Sequence, residues 1–272
     1  MRHPVTAPGR TENRHSVLIE TIGVTKAYGS FVALDGVSLS IAQNELVSIV
    51  GPNGAGKTTL VNVLTGLLKP TAGVVRFKNE DIAGIGPVLL AKRGMARAFQ
   101  LVHVFPGMTV AETIAVAVVS QMRRSFDFLA AIRSDSGVRA RVQEVAAIFR
   151  LDGKLDTEAR LLSQGEKKLL DIASAFALAP EVILLDEPTS GVSTGDKHGI
   201  MRTLVDAARS AGIKAIILVE HDMDLVAEYS SRIVALKGGK VLADLPPDAF
   251  FSDPEIAEAV VGKLFGQSKA AH

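Results

Sequence analysis

Glu45-Leu46-Val47-Ser48-Ile49-Val50-Gly51-Pro52-Asn53-Gly54-Ala55-Gly56-Lys57-Thr58-Thr59-Leu60 is the stretch that decides the fold. Six residues of strand character lead into a glycine-rich turn, and Thr58–Leu68 reads as a helix. Gly51 to Thr58 matches the pattern G-x-x-x-x-G-K-[ST] in full, between the strand and the helix that the pattern requires. The glycines let the backbone curl so that successive N–H groups point inward. Those donors and the positive helix N-terminus bind phosphate oxygens. Lys57 is placed to reach β- and γ-phosphates and the Thr58 hydroxyl to ligate Mg²⁺, with Pro52, Asn53, Gly54, Ala55 and Thr59 completing the cradle. Alone, the loop specifies only a nucleoside triphosphate.

A second stretch narrows the chemistry. Val182-Ile183-Leu184-Leu185-Asp186-Glu187 is a short continuous apolar run with two acids straight after it. A run of that length without alternation suits a parallel strand buried on both faces. Ligands of open α/β sheets bind at the carboxyl ends of such strands. Asp186 suits Mg²⁺ coordination through water, and Glu187 is placed to polarise an attacking water as a general base. Two acids could equally cap the turn before Pro188; beside a phosphate loop the catalytic reading is the stronger one.

Working outward, Val17–Thr21, Val37–Ile41 and Val74–Phe77 read as strands, with a turn at Lys69–Gly73. Thr109-Val110-Ala111-Glu112 is a capping box ahead of an apolar run to Val119, and Val138–Phe149 has helical spacing. Residues 101–165 therefore read as a helical insert. Ser163-Gln164-Gly165-Glu166 is a second capping box, opening a helix that ends near Pro180. His198–Ser210 and Met223–Tyr229 read as helices and Ala215–Val219 as another buried strand. Ile233–Lys237 and Lys240–Ala243 flank Gly238-Gly239, a hairpin signal. Strands alternating with helices argue for an α/β fold around a mostly parallel sheet. Residues 1–16 read as a disordered tail and 246–272 as a helical C-terminal extension, leaving 17–245 as the main domain.

The 272 residues are 47% hydrophobic and 22% charged, enough for a sizeable core. With 30 basic and 29 acidic side chains the net charge is +1, which gives no support for a nucleic-acid partner. There is no cysteine, so disulfides and thiolate metal sites are excluded. No apolar stretch of secretory-signal type follows the polar start. The apolar runs at Ile114–Val119 and Ala215–Val219 fall far short of the ~20 residues that span a bilayer. A cytoplasmic protein is expected, with any membrane role coming through partners.

Together these motifs resemble the ABC ATPase family over roughly 17–245. Leu162-Ser163-Gln164-Gly165-Glu166 looks like the family's signature motif, usually LSGGQ, and lies shortly before the acidic strand as in the family. Gln100 looks like the Q-loop glutamine, which the family uses at the nucleotide and its metal. His221, in Val219-Glu220-His221-Asp222, looks like the catalytic switch histidine, and Tyr28 like the aromatic that stacks on adenine. Gln164 and Glu166 depart from the usual signature, and Ser193 stands where many members carry the aspartate of the D-loop.

The resemblance implies ATP and Mg²⁺ as cofactors. It also implies a head-to-tail dimer with an identical or related second ATPase subunit, in which Ser163, Gln164, Gly165 and Glu166 of one chain face the nucleotide on the other. Further implied are two integral membrane permease subunits, a periplasmic solute-binding protein acting indirectly, and a peripheral place on the cytoplasmic face of the inner membrane. The helical insert would carry the groove that receives the permease. A finer match is to importers of branched-chain amino acids, through Phe99-Gln100-Leu101-Val102-His103-Val104-Phe105-Pro106-Gly107-Met108, Leu218–Leu225 and the apolar finish at Val260–Phe265. The same subfamily serves amides, urea and aromatic acids. Two alternatives stay open at this stage: a soluble ABC ATPase acting on ribosomes or DNA, and a P-loop small-molecule kinase.

Overall fold

The computed structural model describes residues 5–6, 17–98, 105–122 and 135–261. In chain order the elements are β1 (Val5–Thr6), β2 (Val17–Tyr28), β3 (Phe31–Ala42), β4 (Glu45–Val50), α1 (Lys57–Leu64), β5 (Ala72–Phe77), β6 (Glu80–Asp81), α2 (Pro87–Lys92) and β7 (Met95–Arg97). They continue with α3 (Val110–Gln121), α4 (Ser136–Ile148), α5 (Gln164–Ala177), β8 (Val182–Asp186), α6 (Thr194–Ser210), β9 (Ala215–Val219) and α7 (Met223–Tyr229). β10 (Arg232–Lys237), β11 (Lys240–Leu245), α8 (Pro247–Ser252) and α9 (Pro254–Val261) complete the described chain. The chain divides into two compact units, residues 1–90 with 214–272, and residues 91–213.

The first unit holds two sheets. One has the order β1-β11-β10-β4-β9, in which β4 pairs in parallel with both β10 and β9, and β10–β11 is an antiparallel hairpin. All six residues of β4 and all five of β9 are buried, as the unbroken apolar run of β9 and the largely apolar one of β4 suit. Glu45 and Ser48 interrupt the apolar character of β4 and both are partnered: Glu45 by Arg232 at 3.3 Å, Ser48 by the Ser230 hydroxyl at 2.6 Å. The other sheet is antiparallel, β3-β2-β5-β6. β2 runs on to Tyr28, seven residues past the stretch that its alternation marks. Register shifts between Thr21 and Val24, Val24 and Lys26, and Lys26 and Ala27 break the alternation there.

In the second unit β7 lies parallel to β8, and α3 packs on α4 and α5. Both capping boxes form. Thr109 Oγ1 accepts from Glu112 N–H and the Glu112 carboxylate accepts from Thr109 N–H; Ser163 and Glu166 do the same at α5. Phe149 meets Phe176 edge to face, at 5.1 Å between ring centroids, tying α4 to α5. The α/β class with an antiparallel sheet and helices is thus as expected. α6 starts at Thr194, four residues before the apolar spacing becomes visible, because Asp196 favours the first turn and the Ser193 hydroxyl bonds its carboxylate at 2.6 Å.

Val5–Thr6 pair in parallel with Ala243–Asp244 of β11, where the sequence suggests a disordered tail. Gln100, and with it residues 99–104, 123–134 and 262–272, lies outside the described residues. Among the described residues no helix is long and apolar enough to cross a membrane.

Candidate nucleotide site

In the first unit β4 delivers Gly51 and α1 starts at Lys57, so the loop between them is pinned at both ends. The loop can pack as it does only with glycine at two points. A Cβ on Gly51 (φ +150°) would lie 2.3 Å from the Leu236 carbonyl oxygen, and one on Gly56 (φ +103°) 2.6 Å from that of Ala33. Lys57 is 8% exposed; its Nζ donates to the Gly51 carbonyl at 2.7 Å and the Pro52 carbonyl at 3.1 Å. The ammonium therefore spans the curl of its own loop. Asn53, Gly54, Ala55, Thr58 and Thr59 follow the same loop and first helical turn.

The remaining expected residues of this unit sit at strand ends. Tyr28 closes β2 and is 48% exposed, with Lys26 Nζ 5.2 Å from its ring centre. Its register partner across the turn is Phe31, 62% exposed, so two accessible aromatics stand together. His221 follows β9 and is exposed. Its backbone N–H donates to the carboxylate of Glu220 at 2.9 Å, and that carboxylate is buried.

In the second unit Asp186 ends β8. Its Oδ2 accepts from Arg97 Nη2 at 2.8 Å, with both side chains partly buried. A small cleft lined by Ala98, Lys168, Asp171, Leu185, Asp186 and Pro188 opens beside it. Glu187 has φ +50°, the left-handed region that side chains other than glycine rarely adopt. Ser163 caps α5, followed by Gln164 and Gly165, and Glu166 uses both carboxylate oxygens within its own chain, on Ser163 N–H and on Lys154. The bond from Lys154 is the main cause that holds the Glu166 carboxyl below the usual carboxylate range; burial opposes it and the Ser163 bonds assist.

No group of three or more His, Cys, Asp or Glu side chains that could cage a metal exists among the described residues. A lone carboxylate at Asp186 and a hydroxyl at Thr58 are hard oxygen donors. Each taken by itself is a donor of the kind accepted by Mg²⁺, an ion that keeps waters and takes other ligands from phosphates.

Residues 34–190 match the family model described as ABC transporter. The chain belongs to the ABC transporter family. It is an ABC ATPase and, as a member, a nucleotide-using protein. It is 33% identical over 253 residues to the high-affinity branched-chain amino acid transport ATP-binding protein BraF of Pseudomonas aeruginosa, covering 90% of this chain and 98% of that one. A solved nucleotide-free ATP-binding cassette from an ABC transporter superposes with TM-score 0.78 at 30% identity, covering 89% of this chain and 98% of the other. A cassette solved as a dimer in a post-hydrolysis state with ADP and Pi does so with TM-score 0.71 at 28% identity, covering 85% and 99%.

In this ABC ATPase the structure adds residues that the motifs alone do not single out. Gly239, in the β10–β11 turn, donates its N–H to the Ala55 carbonyl at 3.0 Å and so braces the phosphate loop from behind. Glu220 anchors the backbone of His221, and Arg97 neutralises Asp186. The Gly238-Gly239 hairpin signal is visible in sequence; its contact with the loop is not.

Proposed function

We propose that this chain is the ATP-hydrolysing subunit of an importer for branched-chain amino acids or a related small solute such as an amide, urea or an aromatic acid. The observation that carries the reading is the Gly51–Thr58 cradle, closed by Lys57 and backed by Gly239. Its likeness in sequence to BraF supports the solute class.

In this reading the loop N–H groups and Lys57 bind the β- and γ-phosphates, and Tyr28 stacks on the base. Thr58, Gln100 and Asp186 would hold Mg²⁺, which would supply charge neutralisation at the phosphates. Glu187 takes the proton of the attacking water, with His221 completing the catalytic pair. Ser163, Gln164, Gly165 and Glu166 at the N-terminus of α5 close on the nucleotide of a second subunit, identical or related, arranged head to tail. ATP drives transport only by favouring the closed dimer over the open one, since equal affinity for both shifts nothing. Two integral permeases receive that movement at the cytoplasmic face of the membrane, where this chain is peripheral, and a periplasmic binding protein supplies the solute.

Two measurements test this. The purified chain releases free phosphate from Mg-ATP without an acceptor, and Lys57→Ala weakens nucleotide binding by about tenfold or more, as expected for losing a charged phosphate contact. Affinity purification from cells brings down an integral membrane subunit. Phosphate appearing on a small-molecule acceptor, or co-purification with ribosomes or DNA instead, contradicts the reading.

A further inference from the structure

Lys168 lies on α5, and its ammonium is directed at the loop that follows β8. Nζ donates to the Glu187 carbonyl at 3.3 Å and to Ser190 Oγ at 3.0 Å. The Glu187 carbonyl also accepts the Ser190 N–H at 3.1 Å, so one oxygen carries two donors. That oxygen belongs to a residue at φ +50°. A glutamate in the left-handed region is disfavoured sterically, and such a conformation persists where its surroundings over-determine it. The φ of Glu187 also sets the direction of its Cα–Cβ bond. Relaxation to an ordinary negative φ would re-aim the carboxylate.

We propose that Lys168 is a positioning residue for Glu187, fixing the left-handed backbone that aims the carboxylate. The proposal rests on the reading of Glu187 as the general base. A lysine that served only as a solvated surface charge would turn its ammonium to water. Lys168 instead lines the cleft shared with Asp186 and Pro188 and spends its ammonium on the loop that follows β8.

The test compares Lys168→Met, which keeps the stem and removes the donors, with Lys168→Arg, which keeps a cation. Phosphate release and ATP affinity are measured on both, and thermal unfolding confirms the fold. Lys168→Met is expected to lower kcat by about ten- to a hundredfold, the cost of misplacing a reacting group by about an ångström. KM for ATP stays within about twofold, because the phosphate loop is untouched. Lys168→Arg restores most of kcat. Should Lys168→Met fail to fold, Ser190→Ala decides, with a smaller loss in the same direction expected. An unchanged kcat, a KM that rises in step with the loss, or an arginine that rescues nothing overturns the proposal. Glu187→Gln is measured alongside. If that variant turns over normally, the base assignment itself falls and the role of Lys168 with it; if it is inactive while Lys168→Met is not, Lys168 alone is wrong.

Discussion

At Asp186 a carboxylate that ends a buried strand is met by the guanidinium of Arg97, 2.8 Å away and 89 residues distant in sequence. Exposures of 13% and 25% put the pair between a surface bridge and a buried one. Arg97→Gln is therefore expected to destabilise the protein by about 1–3 kcal/mol, most of it from the unpaired carboxylate. Arg97→Lys should lose less. Urea denaturation measures both, and a change under about 0.5 kcal/mol for the glutamine variant would show that solvent already screens the charge. The acidic pair itself was legible in sequence, because two carboxylates straight after an unbroken apolar run have a local signature. Arg97 was not, since a partner on a neighbouring strand leaves no trace in local spacing. Glu187 is a similar case: a φ of +50° at a glutamate breaks the residue's own preference, so no propensity could have pointed to it.

Among the elements, the two capping boxes were read to the residue, because each is a reciprocal local arrangement written within four positions. Short β7 and α2 carry no period long enough to read, and the bulged half of β2 loses the alternation that would mark it. The box at Ser163 also has a pH signature. The Glu166 carboxyl is held below the usual range chiefly by Lys154, so its folded pKa lies under its unfolded one. The stability that it adds is fully present above the unfolded value and is lost as pH falls through the lowered folded value. Glu166→Gln keeps a capping acceptor and removes the charge. We expect it to cost under about 1 kcal/mol at pH 7, Lys154 being half exposed. Its unfolding free energy should fall less steeply than that of wild type between neutral and acid pH. Parallel slopes in denaturant titrations across that range would contradict the assignment.

Across the whole molecule, the phosphate loop, Tyr28 and His221 belong to one compact unit and the acidic pair and α5 to the other. The order of these motifs along the chain was readable and matched the family. Gly239 behind the loop and the pairing of Val5–Thr6 with β11 came only from the fold, because each joins backbone to a segment remote in sequence. The proposed arrangement, with ATP held by one chain and closed over by α5 of another, has a simple physical consequence. A chain that binds ATP and cannot hydrolyse it should stay paired. Light scattering of Glu187→Gln measures this directly. The solution mass should go from that of one 28.7 kDa chain to twice that value on adding ATP, return on dilution into nucleotide-free buffer, and fail to double when Ser163→Arg is added to the same chain. A doubling that ignores ATP, or one that survives Ser163→Arg, would contradict it.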